Sequence, residues 1–229
     1  NLRVPNITVG TMGFGTRADK NECEKIVNTA IDHGLAFFDT ANMYGDGASE
    51  RVLGDLLNER RDQVVVATKV GNGKRSDGER EGLAPEVITR AIDNSLKRLN
   101  MNCVDIYYLH QPDYHTPIED SLAVMVDLIQ KGKIRHFGIS NYGAWQTLEI
   151  LNLCHQNNWP CPVITQMIYN PLVRQIEHEY TRLTETHNLY LTVYNPLAGG
   201  LLTGKYASLN DEKQGARFQN NPMYQHRYW

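Results

Sequence analysis

Four side chains in the first half of the chain have the types needed to move a proton together: Asp39, Tyr44, Lys69 and His110. Asp39 closes the apolar run "AFFD", and Tyr44 follows five positions later in "FFDTANMYGDGASE", in a glycine-flanked loop that can hold its phenol in the open. Lys69 stands near the end of "VVVATKV", and His110 ends "VDIYYLH". A phenol with its ordinary pKa of about 10 is a poor acid at neutral pH, but a neighbouring ammonium stabilises the phenolate. Lys69 can supply that charge. Burial would tend to strip the lysine of its proton, so a carboxylate such as Asp39 is needed to keep it charged and in place. His110 can then orient a carbonyl oxygen toward the phenol. The set suits protonation of an oxyanion while a hydride arrives at carbon. Singly, each residue has an ordinary reading: a strand-end lysine reaching solvent, an aspartate capping a turn, a loop histidine, a half-buried loop tyrosine. One site would need all four.

The elements that must carry these groups repeat from end to end: a short β-branched run, a turn, then apolar residues three and four apart. Strands are expected at Ile7–Gly10, Ala36–Asp39, Val64–Val70, Val104–His110, Ile134–Ser140, Val163–Met167 and Leu189–Asn195. Between them, Asp19 can cap a helix carrying Ile26, Val27, Ala30 and Ile31, which Gly34 closes, and Ser49 can cap one carrying Val52, Leu53, Leu56 and Leu57. Pro85 and Pro117 each suit the first turn of a further helix. Strands alternating with helices imply a parallel sheet covered on both faces, either an open doubly wound sheet or a closed eight-stranded barrel. "GTMGFG", Gly10 to Gly15, lacks the spacing of the dinucleotide fingerprint, and the count of seven strands favours the barrel. In such a barrel, catalytic groups gather at the C-terminal ends of the strands, which is where Asp39, Lys69, His110, Ser140, Asn141, Gln166, Tyr194 and Asn195 fall.

At 229 residues and 41% hydrophobic, the chain is long enough for one sizeable core. A formal charge of -3 with scattered Lys and Arg gives no electrostatic reason for nucleic-acid binding. No apolar run is long enough to span a membrane and "NLRVPNITVG" is unlike a signal peptide, so the expectation is a cytoplasmic protein. Cys23, Cys103, Cys154 and Cys161 form no C-x-x-C pair and no metal-ligand spacing, which favours reduced packing thiols and no metal. A metal-dependent hydrolase built on Asp39 and His110 would lack a paired second histidine and would leave Tyr44 and Lys69 unexplained.

"GTMGFG", "FFDTANMYGDGASERVLG", "VVVATKVG", "SLKRLNMNCVDIYYLHQPD", "GKIRHFGISNY" and "VYNPLAGGLLTGKY" resemble, in order and spacing, the aldo-keto reductase superfamily, most closely its aflatoxin-aldehyde and succinic-semialdehyde reductase branch. The resemblance covers essentially the whole chain and implies one domain over residues 1–229, a (β/α)8 barrel of TIM type that binds NADPH/NADP+ without a Rossmann domain. It implies reduction of a small carbonyl substrate, an aldehyde or ketone, with Tyr44 as proton donor, Asp39 as its indirect support, and Lys69 and His110 completing the tetrad. Ser140, Asn141 and Gln166 would hold the nicotinamide carboxamide, Met12 and Gly13 would line the pocket, and Tyr194 would lie near the ring. The segment Asn195–Lys205, with Leu197, Gly199 and Lys205, looks like the loop that wraps the pyrophosphate, and Arg217 would reach the cofactor. Tyr224 and Arg227 would join Tyr44 and His110 at the substrate, Arg227 pairing with a carboxylate.

Members of the family continue past the equivalent of Trp229 with the last helices and strand eight. If the molecule ends at Trp229, the expectation is a barrel truncated at its C-terminus, with an open seam, unpaired edges and weakened NADPH affinity, unstable, swapped, forming a homo-oligomer or completed by another chain; the alternative is that the sequence is a fragment of a longer parent. The alternative reading is a non-catalytic module of the same fold that senses cofactor or binds a partner.

Overall fold

The computed structural model describes residues 2–206, 208, 211, 218, 219 and 221–228. They divide into two compact units, Asn1–Val163 and Ile164–Trp229.

The first unit alternates strand and helix throughout: β1 (Val9–Gly10), α1 (Lys20–Asp32), β2 (Phe37–Asp39), α2 (Ala48–Leu57), β3 (Val65–Val70), α3 (Pro85–Leu99), β4 (Val104–Leu109), α4 (Ile118–Gln130), β5 (Ile134–Ser140) and α5 (Ala144–Gln156). Each strand pairs in parallel with the next, in registers such as Val9 with Phe38, Phe38 with Val66, Ala67 with Ile106 and Ile106 with His136. The order never doubles back. A doubly wound sheet would reverse at a switch point, so within this unit the pairing is that of a barrel wall.

Strand periodicity sorts the side chains onto two faces. Phe38, Val66, Val70, Tyr107, Leu109, Phe137 and Ile139 join the core packed beneath the helices. The alternate positions, Asp39, Ala67, Lys69, Ile106, Tyr108, Gly138 and Ser140, therefore share the opposite face. A lysine and an aspartate on that face have no helix side chain to cover them and must find partners among themselves.

The helices start where local chemistry stops the strands. Asp19 and Glu22 form a reciprocal capping box at α1, each side chain accepting the other's backbone N–H at 2.9 Å. Pro85 opens α3 as expected, whereas Pro117 stands one residue ahead of α4, at its cap. At α2 the structure corrects the expectation: Gly47, with φ 78°, precedes the helix, and Ser49 lies inside its first turn, buried. Helix α5 has no counterpart in the expected elements; its buried face, Thr147, Ile150, Leu151 and Cys154, includes a polar residue and a thiol that blur the apolar period.

The second unit holds β6 (Ile164–Ile168), α6 (Tyr180–Thr186), β7 (Tyr190–Tyr194) and α7 (Pro222–Tyr228). Strands β6 and β7 are parallel, with Gln166 opposite Thr192. All seven expected strands are present, and among the described residues no strand follows β7, on which Tyr190 and Val193 are exposed. No helix among those residues is long and apolar enough to cross a membrane.

Packing of α2 against α3 leaves no room for a side chain at Gly54: a Cβ there would sit 2.7 Å from Leu99 Cα. Gly54→Ala should therefore lower unfolding stability by about 1–3 kcal/mol, although alanine is the better helix former. A urea midpoint at or above that of the parent would refute this close contact.

Candidate active site

Lys69 is completely buried, and its ammonium donates to Asp39 Oδ2 at 2.5 Å and to the Thr40 carbonyl at 2.7 Å. The strand register makes this possible, because Asp39 pairs with Ala67 on the adjacent strand and both acid and amine point to the same face. Burial alone would drive the lysine to give up its proton. The charge of Asp39, and after it Tyr44, outweighs burial, and the net direction is upward. The amine is thus held as an ammonium. It lies 5.2 Å from the ring centre of Tyr44 and 5.6 Å from that of Tyr108, within the range of cation–π attraction.

Tyr44 reaches this charge from the loop after β2. The Tyr44 N–H donates to Ala41 O, and Asn42 N–H to Lys69 O, so the loop turns back onto the end of β3. Gly45 has φ 57°, and a Cβ there would press to 2.6 Å from Thr16 Cγ2, which explains a glycine beside the tyrosine. Glu81 secures the same loop: its Oε1 accepts from Asn42 Nδ2 at 2.9 Å and from the N–H groups of Gly71 and Gly73.

His110 follows β4, its N–H donating to Val70 O at 2.8 Å. The ring stands edge-on to Tyr44, with centres 6.1 Å apart and planes at 82°. Burial first, then the Lys69 charge, pushes the imidazole down from its ordinary 6.5 to about 3, so it is neutral across the physiological range. Its Nδ1 has no hydrogen-bond partner among the described residues. Asn141, just past β5 with φ 64°, donates from Nδ2 to the His110 carbonyl at 3.0 Å and to Ser140 Oγ at 3.1 Å. Asparagine tolerates that left-handed backbone better than most residues. The first unit thereby brings together the expected Asp39, Tyr44, Lys69, His110, Ser140 and Asn141. Met12 and Gly13 lie in the turn after β1, where the Gly13 carbonyl accepts from Arg17 and Ala18.

In the second unit Gln166 is buried within β6, and Tyr194 ends β7. Asn195, with φ 65°, folds its side chain onto its own surroundings: Oδ1 accepts from Gly199 N–H at 2.9 Å, and Nδ2 donates to the Tyr228 hydroxyl at 2.6 Å. Gly199 has φ 69°, and a Cβ there would lie 2.9 Å from the Tyr224 ring and 3.0 Å from that of Phe218. That glycine therefore serves aromatic packing. Leu197 is exposed, and Lys205 Nζ lies 5.2 Å from the Tyr206 ring centre. Tyr224 is buried against Phe218, and the exposed Arg227 lies over its ring at 5.7 Å. Arg217 lies outside the described residues.

Sequence reasoning overlooked a second charged system beside the tetrad. Glu50 is fully buried in α2; its Oε2 accepts from Arg98 Nε at 2.6 Å and its Oε1 from Thr68 Oγ1 at 2.5 Å. Next to it, Ser49 Oγ donates to the Thr11 carbonyl at 2.8 Å and contacts the Thr40 and Thr11 hydroxyls. The overlooked signal was the pair Ser-Glu in a helix's first turn, which reads as capping chemistry until the strands around it are known.

A model of the aldo/keto reductase family matches residues 6–228. The chain is 40% identical over 233 residues to mouse (Mus musculus) aflatoxin B1 aldehyde reductase member 2, covering 98% of this chain and 62% of that protein. It is 35% identical over 210 residues to a probable voltage-gated potassium channel subunit beta of Arabidopsis thaliana, covering 90% and 64%. Among solved structures it superposes on the holo form of an aldo-keto reductase from Bacillus halodurans with a TM-score of 0.79 at 28% identity, over 95% of this chain and 71% of that one. The fold class is accordingly the (β/α)8 barrel type, seven of whose strands lie among the described residues. The chain spans about six-tenths of the length of the curated aldehyde reductases it matches.

The neutral, buried His110 makes folding stability depend on pH. The unfolded chain binds a proton that the folded site refuses, so this contribution is complete above about pH 6.5 and is lost as pH falls toward about 3. The loss should approach about 1.4 kcal/mol per pH unit in that window. Urea unfolding of the parent and of His110→Gln at several pH values checks it: the variant should lack this part of the slope, and identical slopes would contradict a neutral buried imidazole.

Proposed function

The chain belongs to the aldo/keto reductase family, and we propose that it reduces the carbonyl group of aldehydes and ketones to an alcohol with NADPH as cofactor. The observation that carries this reading is the buried Lys69 ammonium, held by Asp39 at 2.5 Å and lying 5.2 Å from the Tyr44 ring beside a neutral His110. When bound, the cofactor supplies the hydride that adds to the carbonyl carbon.

The residues of the chain do the rest. A neutral imidazole donates a hydrogen bond to the carbonyl oxygen without competing for its proton, which orients the substrate and polarises the C=O bond. As negative charge grows on that oxygen, the Tyr44 O–H bond breaks and its proton passes to the substrate oxygen. The phenolate left behind faces the Lys69 ammonium, so the charge lost from the substrate is matched by one already in place. Asp39 touches neither the phenol nor the substrate in this scheme; it keeps Lys69 charged against the pull of burial.

The donor set fits a nicotinamide. A carboxamide needs partners for both its oxygen and its amino group, and Ser140 and Asn141 offer a hydroxyl and an amide side chain beside the His110 carbonyl. We carry Met12 and Gly13 as pocket lining in the first unit. In the second we carry Gln166 as a carboxamide contact, Tyr194 as a ring contact, and Asn195, Leu197, Gly199, Lys205 and Arg217 as contacts to the rest of the cofactor. Tyr224 and Arg227 are proposed substrate contacts, which favours aldehydes bearing a carboxylate or a second carbonyl. The mouse relative's name, aflatoxin B1 aldehyde reductase, supports the aldehyde class.

The test is Tyr44→Phe. It should cut aldehyde-dependent loss of NADPH absorbance by roughly 10²–10⁴-fold, the usual share of a positioned general acid. NADPH binding, followed by quenching of protein fluorescence, should be nearly unchanged. Undiminished turnover in the variant would remove Tyr44 from the chemistry.

A further inference from the structure

We infer that Glu50 is a positioning residue for the proton-transfer step: through Thr68 it fixes the strand that carries Lys69, so that the ammonium meets both Asp39 and the Thr40 carbonyl. This rests on the reading of the site given above. A fully buried carboxylate is an expensive component. Taking the Glu50 carboxylate fully out of water, answered by an Arg98 that keeps 23% of its side chain exposed, costs free energy that an apolar side chain of the same size would not, so the arrangement is poorly explained by stability alone. Its arrangement points to another use.

Both carboxylate oxygens are engaged on the helix side of the sheet, one by a neighbouring helix and one by a strand. Oε2 is held by Arg98 of α3, whose guanidinium also donates to Ser95 at 3.2 Å, and Oε1 receives the Thr68 hydroxyl at 2.5 Å. Thr68 and Lys69 are consecutive on β3, so their side chains leave on opposite faces. A carboxylate anchored on the helix side therefore sets the height and twist of the peptide from which the lysine rises on the other side. The preceding residue, Ser49, completes the clamp from the same helical turn. Its hydroxyl is bonded to Thr11 O and in contact with Thr40 Oγ1, while Thr11 Oγ1 donates to Asp39 O at 3.0 Å.

Successive side chains at the start of α2 thus hold the two acceptors of the lysine on one side and the strand of the lysine itself on the other. The ammonium contacts at 2.5 and 2.7 Å leave little tolerance for a shift of β3 relative to β2. Glu50 touches neither reacting atoms nor Lys69, and it acts through Thr68.

The experiment compares Glu50→Leu combined with Arg98→Met, which replaces the pair by apolar groups, with Thr68→Val and Thr68→Ser, which remove and restore the one bond to Glu50. Three quantities are read on the 229-residue chain: melting temperature, kcat for an aldehyde with NADPH, and the ¹⁵Nζ resonance of Lys69, assigned by Lys69→Arg. In the double variant the melting temperature should hold or rise while kcat falls by roughly 10²-fold, the scale of a misplaced catalytic group, and the KM for NADPH stays put. Thr68→Val should lose kcat in the same direction, Thr68→Ser should recover it, and the Lys69 resonance should shift or broaden wherever kcat is lost.

Unchanged kcat and an unchanged Lys69 resonance in the double variant or in Thr68→Val would overturn the proposal. So would a fall in melting temperature with full activity per folded molecule, the result expected of a merely structural pair. Should the double variant not fold, Thr68→Val decides alone, since it leaves the Glu50–Arg98 pair in place. Should the parent itself fail to reduce aldehydes, the reductase reading fails, and the Lys69 resonance still tells whether Glu50 positions the ammonium.

Discussion

A lysine with no exposed surface stays charged only while something charged answers it, and the site depends on that condition. Lys69 must meet Asp39 across two neighbouring strands, which demands parallel pairing in one register and side chains on the same face. A slip of one residue would turn the amine toward the apolar core beneath the helices. The register is in turn held by features that look unrelated to chemistry: Phe38, Val66 and Tyr107 packed under the helices, and the hydroxyls of Thr11, Thr40 and Ser49 tying the strand ends. The same positive charge then sets two neighbours. It lies near the face of the Tyr44 ring, and it adds to burial in keeping His110 neutral. One ion pair thus sets the surroundings of both a phenol and a neutral imidazole.

The alternating runs made the strands legible, because a strand covered on both faces is a block of β-branched and aromatic residues that few other elements produce. All seven were anticipated, with small differences at the ends. Helix starts were less legible. Asp19 obeyed capping rules because its surroundings are solvent, whereas Ser49 is the same kind of residue in a dry place, and its hydroxyl went to Thr11 and Thr40 instead. Helix α5 escaped because Thr147 and Cys154 occupy buried positions that a pattern of purely apolar residues would miss.

The grouping of Asp39, Tyr44, Lys69 and His110 was readable because the four residue types, each ordinary alone, are chemically coherent together, and the structure brings them into one cluster. Glu50, Thr68 and Arg98 were not, because a glutamate and an arginine on exposed-looking helices carry no sign of burial until the helices are packed. Asn195 marks another limit. Its position was read as part of a cofactor loop, yet its amide is engaged with Gly199 and Tyr228, so the residue also shapes the loop from within. Sequence can place a residue in a loop, but which of its hydrogen bonds are spent on the fold emerges only from the coordinates.

The groups proposed for proton transfer, from Asp39 to His110, belong to one unit built of successive neighbours in the chain, each strand bonded to the one before it. Domains emerging from a ribosome fold from the N-terminus, and pairings between adjacent elements need only short loops to close. The cluster of Asp39, Tyr44, Lys69 and His110 can therefore take shape while later segments are still being synthesised. Birth order along the polypeptide then becomes an assembly order for the cluster, with the Lys69–Asp39 pair in place before the chain has made β6 or β7.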